Sequence, residues 1–251
     1  MPGPYRLGKR PAVYDDRTLR FSDYVTAAMP RPPESVAYYH KVTSWPMYYN
    51  DQYADCTCAA AGHMIENWTA NAATEVTPPP ETVLKFYEHF VGTPPPPDEG
   101  CVMLDVLKYW RATGLDQHKV AAFTSLKLQD QGEARSATYL LGGIYFGIQL
   151  PDFAVQPDAD WLTIPWVVPP GGPVGEAAPN PQNGHCVPAV GYDAEQLWIV
   201  TWGTLKSMSW DFYNAYTDES FAIVSTDFIG QSGKSPEGFD LAVLERDLEQ
   251  L

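Results

Sequence analysis

Helix-forming segments fill the first half of this chain and strand-forming segments fill the second half. Between residues 50 and 118, Pro-rich connectors separate long runs in which apolar residues recur at helical spacing. After about Lys119 the apolar runs are shorter, rich in aromatic and β-branched residues, and bounded by Gly, Asp and Pro. Helices followed by strands, rather than alternating with them, predict an α+β fold class.

The clearest helix begins at Cys56. The run CTCAAAGHMIENWTANAA, residues 56–73, is rich in Ala, lacks Pro and carries its larger apolar side chains at helical spacing. Asp55 precedes it and is predicted to be its N-cap. Two further helices are expected at residues 81–90 and 103–113. Strands are predicted in the segments TYLLGGIYFGIQL, CVPAVGYD, QLWIVTWG and SFAIVSTD.

The C-terminal segment DLAVLERDLEQL is predicted to form a helix within residues 236–251. One side of it carries a stripe of leucines: Leu241, Leu244, Leu248 and Leu251. We expect this stripe to dock on the protein's own core. Self-association, or an assembly contact with another chain, is the alternative.

The charge balance excludes several classes of partner. The chain has 16 Lys and Arg against 31 Asp and Glu, a formal net charge of −15. Without a basic stripe it is not expected to bind nucleic acid or an anionic membrane surface. The longest apolar stretch, residues 139–150, is too short and too interrupted by Gly to span a bilayer, and the N-terminus lacks the apolar core of a signal peptide. We therefore expect a cytoplasmic or virion-associated protein.

Two segments carry the residue types of nucleophilic catalysis. Cys56 stands at the start of the best helix, where free backbone N–H groups and the helix dipole favour a thiolate. In NGHCVPAVGYD, residues 183–193, His185 opens a strand directly after a Gly/Pro/Asn-rich stretch at residues 169–183. A thiol paired with an imidazole can attack a carbonyl and then protonate a leaving group.

A metal site is the alternative use of these side chains. Sulfur and imidazole ligands could be gathered from Cys56, Cys58, His63, His185 and Cys186. The C-x-C spacing differs from that of a zinc knuckle, and no second matching pair follows. We therefore expect neither a metal nor a cofactor.

The chain resembles the papain-like cysteine peptidases. The similar pieces are the Cys56-Thr57 pair at a helix start, the strand GHCVPAVGY at residues 184–192, and the triplet WGT at residues 202–204. A poorly characterised bacterial and phage branch has the motif N-D-x-x-G-D-C-T, matched here except that Ala54 replaces the Gly. The resemblance implies one domain of two lobes. It comprises an extended segment (1–49), a helical lobe carrying the Cys (50–118), an antiparallel β-lobe carrying the His (119–235) and a C-terminal helix (236–251).

The resemblance also implies roles for individual residues. Asn50, six residues before Cys56, would help to form the oxyanion hole. Thr201 stands where the family has an Asn that orients the His ring, and Trp202 would shield that contact and border the substrate site. Cys58 is the alternative nucleophile, because Gln52 stands six residues before it. In that version a family-like bridge would join Cys56 to Cys101.

The function expected from these residues is hydrolysis of a peptide or isopeptide bond by a Cys–His dyad, with a peptide or protein as substrate. The stretch at residues 169–183 would form a rim of the cleft. The alternative is a catalytically idle module of the same fold that binds a partner or serves as a virion or assembly component. It is motivated by the missing Asn and by the absence of an evident inhibitory segment. Residues 1–49 are the candidate for such a segment, but nothing in them shows a cleavage point.

Overall fold

The computed structural model describes residues 5–25, 29–92, 98–155, 165–229 and 235 of the 251-residue chain. The helices are α1 (Cys56–Ala72), α2 (Pro80–Val91), α3 (Met103–Ala112), α4 (Gln131–Leu141), α5 (Trp210–Tyr216) and α6 (Thr226–Ile229). The strands are β1 (Val36–Ala37), β2 (Val120–Ser125), β3 (Ile144–Gln149), β4 (Gly184–Tyr192), β5 (Gln196–Thr201), β6 (Thr204–Ser209) and β7 (Thr217–Ser225).

The strands form one seven-stranded sheet in the order β2-β7-β3-β4-β5-β6, with β1 paired to the far end of β4. Every pairing is antiparallel. Strand β4 is buried along its whole length, which explains why its sequence is continuously apolar and small rather than alternating. The predicted α+β class is therefore confirmed, with the helices of the first half packed against an antiparallel sheet from the second half.

Two hydrophobic cores hold these layers together. One lies between the sheet and helices α4 and α5. The other lies between α1, α2, α3 and the opposite side of the sheet, and it includes Tyr145 of β3. The Tyr145 hydroxyl donates a hydrogen bond to the carbonyl oxygen of Thr57 at 2.8 Å, and the Trp68 indole donates one to the carbonyl oxygen of Leu141 at 2.8 Å. These buried bonds fix α1 against strand β3 and the end of helix α4.

The three helices expected in the first half are confirmed to within about two residues at each end. The prediction of a single strand in TYLLGGIYFGIQL is wrong, because its first part belongs to α4. Gly142 ends that helix in the left-handed conformation (φ 74°), and β3 begins two residues later. The predictions also did not include strands β1, β2 and β6 or helices α5 and α6. The expected C-terminal helix with its leucine stripe lies outside the described residues.

Asp55 occupies the predicted N-cap position of α1, but its side chain makes no capping hydrogen bond. The carboxyl group is instead completely buried. Burial raises its pKa well above the usual value, and the neighbouring Asn50 amide only partly offsets this. In the described part of the chain, no helix combines the length and the apolar character needed to cross a bilayer.

Candidate active site

The residues singled out in the sequence meet where the start of α1 packs against β4. A cavity of about 10 Å³, room for about one water molecule, lies at this point. Its described lining residues are Asn50, Cys56, Ala59, Ala60, His63, His185, Cys186, Val200, Thr201 and Trp202. All five predicted site residues are therefore in the lining, whereas Gln52 and Cys58 are not.

The imidazole of His185 is held from two directions. Its Nε2 lies 2.8 Å from Thr201 Oγ1, a hydrogen bond across the neighbouring strands β4 and β5. The Trp202 ring stacks on the imidazole, with centroids 4.4 Å apart and planes inclined by 15°. Trp166 approaches it edge-on at 6.5 Å. The other ring nitrogen, Nδ1, is buried and has no hydrogen-bond partner among the described residues.

The backbone at Trp202 explains how its ring reaches His185. Thr201 pairs with Thr204, so Trp202 and Gly203 form a two-residue hairpin loop between β5 and β6. Both loop residues have positive φ, 44° and 67°. Such a loop is normally built from Asn or Gly, so a tryptophan there is strained. We attribute this strain to the position that the indole must take beside the imidazole.

The thiol of Cys56 is almost completely enclosed, with 2% of the residue exposed. Burial raises its pKa to about 12, an effect that the backbone N–H groups of Cys186 and Gly8 reduce only in part. Burial also lowers the pKa of His185 to about 3. In this state thiol and imidazole are therefore both neutral at pH 7.

The other cysteines are also buried, and all four are free thiols. The bridge between Cys56 and Cys101 that would accompany Cys58 as nucleophile is therefore not present in this structure. The Cys58 sulfur lies instead 3.8 Å from the Thr57 hydroxyl, beside Cys101 and within the core of the helical layer.

His63 of α1 is held within the core, where its Nε2 lies 2.8 Å from the carbonyl oxygen of Pro46. Burial lowers its pKa to about 4. The described residues include no group of three His, Cys, Asp or Glu side chains arranged to hold a metal ion.

An extended segment of the chain's own N-terminal region, residues 5–10, lies across the site and closes it. On the helical side, Arg6 N–H donates to the Asn50 carbonyl oxygen at 2.9 Å, and Cys101 N–H donates to the Gly8 carbonyl oxygen at 2.8 Å. On the sheet side, Lys9 N–H donates to the Gly184 carbonyl oxygen at 3.1 Å. The segment thus lies in a cleft between the two layers.

Sequence reasoning left residues 1–49 open as an inhibitory segment but did not predict that residues 5–10 lie in this cleft. One local signal was available: Gly8. A Cβ at Gly8 would overlap the carbonyl oxygen of Ala54, and a Cβ at Gly100 or Gly184 would overlap the backbone of the segment. Glycines at these places allow two chains to pass at backbone distance.

The fold is similar to those of several solved cysteine proteases. Xylellain, a cysteine protease from Xylella fastidiosa, superimposes with a TM-score of 0.64 over 89% of this chain and 97% of its own, at 13% identity. The fold is that of the papain-like cysteine proteases. Bromelain from Ananas comosus in complex with E64 (TM-score 0.51, 13% identity, 76% of this chain and 99% of its own) is similar. So is digestive procathepsin L 3 of Tenebrio molitor (0.57, 11%, 86% and 75%).

No protein-family model and no curated protein matches the sequence. At 11–13% identity these papain-like neighbours establish the two-lobe fold and nothing finer. Membership of the branch with the N-D-x-x-G-D-C-T motif stays a prediction, as do the domain limits and the location in the cell.

Proposed function

We propose that the protein is a papain-like thiol hydrolase that cleaves a peptide or isopeptide bond with Cys56 and His185. The observation that carries the proposal is that the two ring nitrogens of His185 have different surroundings. Nε2 is bonded to Thr201, while Nδ1 is unpartnered among the described residues, and the ring borders the same cavity as the Cys56 thiol. With its Nε2 hydrogen directed to Thr201, a neutral imidazole has the Nδ1 lone pair available to take the thiol proton.

The proposed reaction uses these residues in the following order. Cys56 transfers its proton to His185 Nδ1, and its sulfur attacks the carbonyl carbon to form a tetrahedral adduct. The C–N bond then breaks, and the leaving amine takes the proton back from His185. Water, deprotonated by the same nitrogen, hydrolyses the thioester and restores the thiol. Asn50 and the Cys56 N–H would stabilise the oxyanion. One such donor lowers the activation free energy by about 3 kcal/mol.

The peptide nature of the substrate is supported by the occupant of the cleft. Backbone groups of Asn50, Cys101 and Gly184 hold an extended peptide from both sides, and the Trp202 indole donates to the Arg6 carbonyl oxygen at 3.0 Å. A cleft that binds main-chain groups in this manner suits an extended peptide better than a compact small molecule.

The Asn50 amide needs a rearrangement before it can act. In the closed state its Nδ2 donates to the carbonyl oxygen of Tyr53 at 3.1 Å. The thiol and imidazole are also neutral here because they are shielded from water. We therefore infer that this structure is the resting state and that residues 5–10 leave the cleft before substrate enters.

The test is turnover of a panel of peptide and isopeptide substrates by the full chain, compared with Cys56→Ala and with Cys58→Ala as matched control. Each variant is checked by circular dichroism. We expect Cys56→Ala to abolish turnover and Cys58→Ala to retain it. The reverse pattern would transfer the nucleophile to Cys58. Gly8→Val is expected to displace residues 5–10, because the new side chain overlaps the carbonyl oxygen of Ala54. If neither the wild-type chain nor Gly8→Val shows turnover, the idle binding module becomes the better description.

A further inference from the structure

The side chain of Lys9 is buried in the cleft although it is charged. Only 1% of the side chain is exposed. Its Nζ lies 2.7 Å from Asp218 Oδ2 and 3.0 Å from Glu219 Oε1, and it donates to the carbonyl oxygen of Arg10 at 3.2 Å. The ammonium group therefore donates two hydrogen bonds, to Arg10 and Asp218, and forms an ion pair with each of the two acidic residues.

The pocket around the Lys9 side chain, which ends at Asp218 and Glu219, adjoins the proposed catalytic pair. Glu219 of β7 pairs with Gly147 of β3, and Gly147 pairs with Cys186 of β4, the residue that follows His185. The backbone of Lys9 itself bonds to Gly184, the residue that precedes His185. A side chain in the pocket thus belongs to a peptide whose main chain passes the imidazole.

The shape of the pocket matches a long, unbranched side chain. A Cβ at Gly147 would overlap the Cε of Lys9 and come within 2.9 Å of Met103 Sδ. The missing side chain at position 147 therefore creates the space through which the four-carbon stem of Lys9 passes. Gln149 donates to Asp218 Oδ2 at 3.1 Å and holds that carboxylate at the far end.

The charge of the pocket favours a cation. Two carboxylates face one ammonium group, and Glu219 is 5% exposed. Burial raises the pKa of Glu219 to about 7, although the Lys9 charge opposes this. A neutral side chain in the same place would leave Asp218 without its counter-charge and would favour a protonated Glu219, so an ionised acidic pair depends on a cation between its members.

We propose that Asp218 and Glu219 select a peptide substrate that places a Lys or Arg side chain in this pocket, and that Lys9 occupies it in the closed state. This inference rests on the proposed function, because it names the substrate class of that same site. It gives residues 5–10 the role of a tethered competitor of the substrate.

The experiment separates binding from chemistry. A full-length protein with Cys56→Ala and Lys9→Met cannot perform the proposed reaction and has no cation in the pocket. Its binding is measured by fluorescence polarisation for a labelled hexapeptide with the sequence of residues 5–10, and for the same peptide with norleucine in place of lysine. Norleucine keeps the length of the stem and removes only the charge.

We expect the lysine peptide to bind at least about 10-fold more tightly than the norleucine peptide. Adding Asp218→Asn and Glu219→Gln should bring the two affinities together. Equal affinities in the protein with intact carboxylates would overturn the proposal and leave the contacts of Lys9 as a structural ion pair. A Lys9→Arg counterpart, with the cation retained, should bind the lysine peptide more weakly than Lys9→Met does.

Two further measurements control for loss of stability and separate the pocket from the hydrolase activity. If Lys9→Met lowers the melting temperature, the lysine peptide should raise it again and the norleucine peptide should not. Turnover is measured separately in Lys9→Met with Cys56 intact. Selective binding without turnover would reject the hydrolase while supporting the pocket, whereas equal turnover of lysine and norleucine substrates would reject the pocket while supporting the hydrolase.

Discussion

Trp202 stacks on the imidazole of His185 at 4.4 Å, and the same indole donates a hydrogen bond to the carbonyl oxygen of Arg6. One side chain therefore contacts both the candidate general base and the segment that closes the site. Departure of residues 5–10 removes the Arg6 acceptor and exposes the indole edge. Occupancy of the cleft and the environment of His185 are consequently linked.

Replacing Trp202 with Leu should raise the pKa of His185. Burial is what lowers this pKa to about 3, and a smaller side chain admits water that stabilises the imidazolium. An NMR titration of the His185 ring measures the shift. The control is Trp198→Leu, because Trp198 contacts Tyr39 at 5.4 Å. An unchanged His185 titration in Trp202→Leu would show that the indole does not shield the ring.

Replacing Thr201 with Val should lower kcat/KM by about 10²-fold, because the ring loses the acceptor that holds its orientation. Val has nearly the shape of Thr and lacks the hydroxyl. Thr201→Ser, which retains Oγ, should keep most of the activity. Steady-state kinetics over pH 5–9 check both variants. If the Val and Ser variants have equal kcat/KM values, Thr201 does not position His185.

Alkylation of Cys56 should be slow in the intact protein between pH 6 and 8, because the buried thiol has a raised pKa and the segment covers it. Gly8→Val should speed this alkylation, since the new side chain overlaps the backbone of Ala54 and forces the segment out. Mass spectrometry with iodoacetamide locates the adduct. Cys58, which is in the core, serves as internal control. Equally slow labelling of Cys56 in Gly8→Val would contradict the closing role of residues 5–10.

The free energy of unfolding should fall as pH rises from about 4.5 to about 8 because of Glu66. Burial raises its folded-state pKa to about 8, against 4.5 for an unperturbed glutamate, although Tyr48 donates a hydrogen bond to it at 2.7 Å. In this range the folded state retains a proton that the unfolded state has lost. The contribution of Glu66 to stability is therefore lost with rising pH, with a slope of up to ~1.4 kcal/mol per pH unit.

Urea denaturation at several pH values measures this effect. Glu66→Gln keeps a neutral side chain at all pH values and should remove this component of the slope. Glu176→Gln alters an exposed carboxylate and should leave the slope as it is. An identical pH dependence in wild type and Glu66→Gln would contradict the raised pKa. His63 and His185, with their lowered pKa values, work in the opposite direction below pH 6.5, so the effect of Glu66 is obtained from the difference between wild type and Glu66→Gln.

The fold could be predicted where local pattern and tertiary burial agree. Helix α1 has an Ala-rich sequence and no Pro, and burial merely reinforces that preference. Helix α4 was missed because its apolar end continues into β3 without a polar break. The change from helix to strand depends on the left-handed backbone at Gly142, which a single sequence does not distinguish from a glycine inside a strand.

At the site, Cys56 and His185 could be proposed from their positions at a helix start and a strand start. The closing segment could not, because the ion pairs of Lys9 join residues more than 200 positions apart. No periodicity connects a basic residue near the N-terminus with two acids on β7. The strained backbone of Trp202 could not be predicted from the sequence either, since it follows from the register of β5 and β6.

The hydrogen bonds from residues 5–10 to both layers have a consequence for any assay of the intact protein. A peptide added in solution competes with a ligand joined to the same chain, whose effective concentration is roughly millimolar for a short flexible connection. Micromolar peptides will therefore seem to bind weakly even where their own contacts with the cleft are good. Affinities measured in the closed protein report the difference between two ligands, and the cleft's own preference emerges only once the tethered one has been weakened.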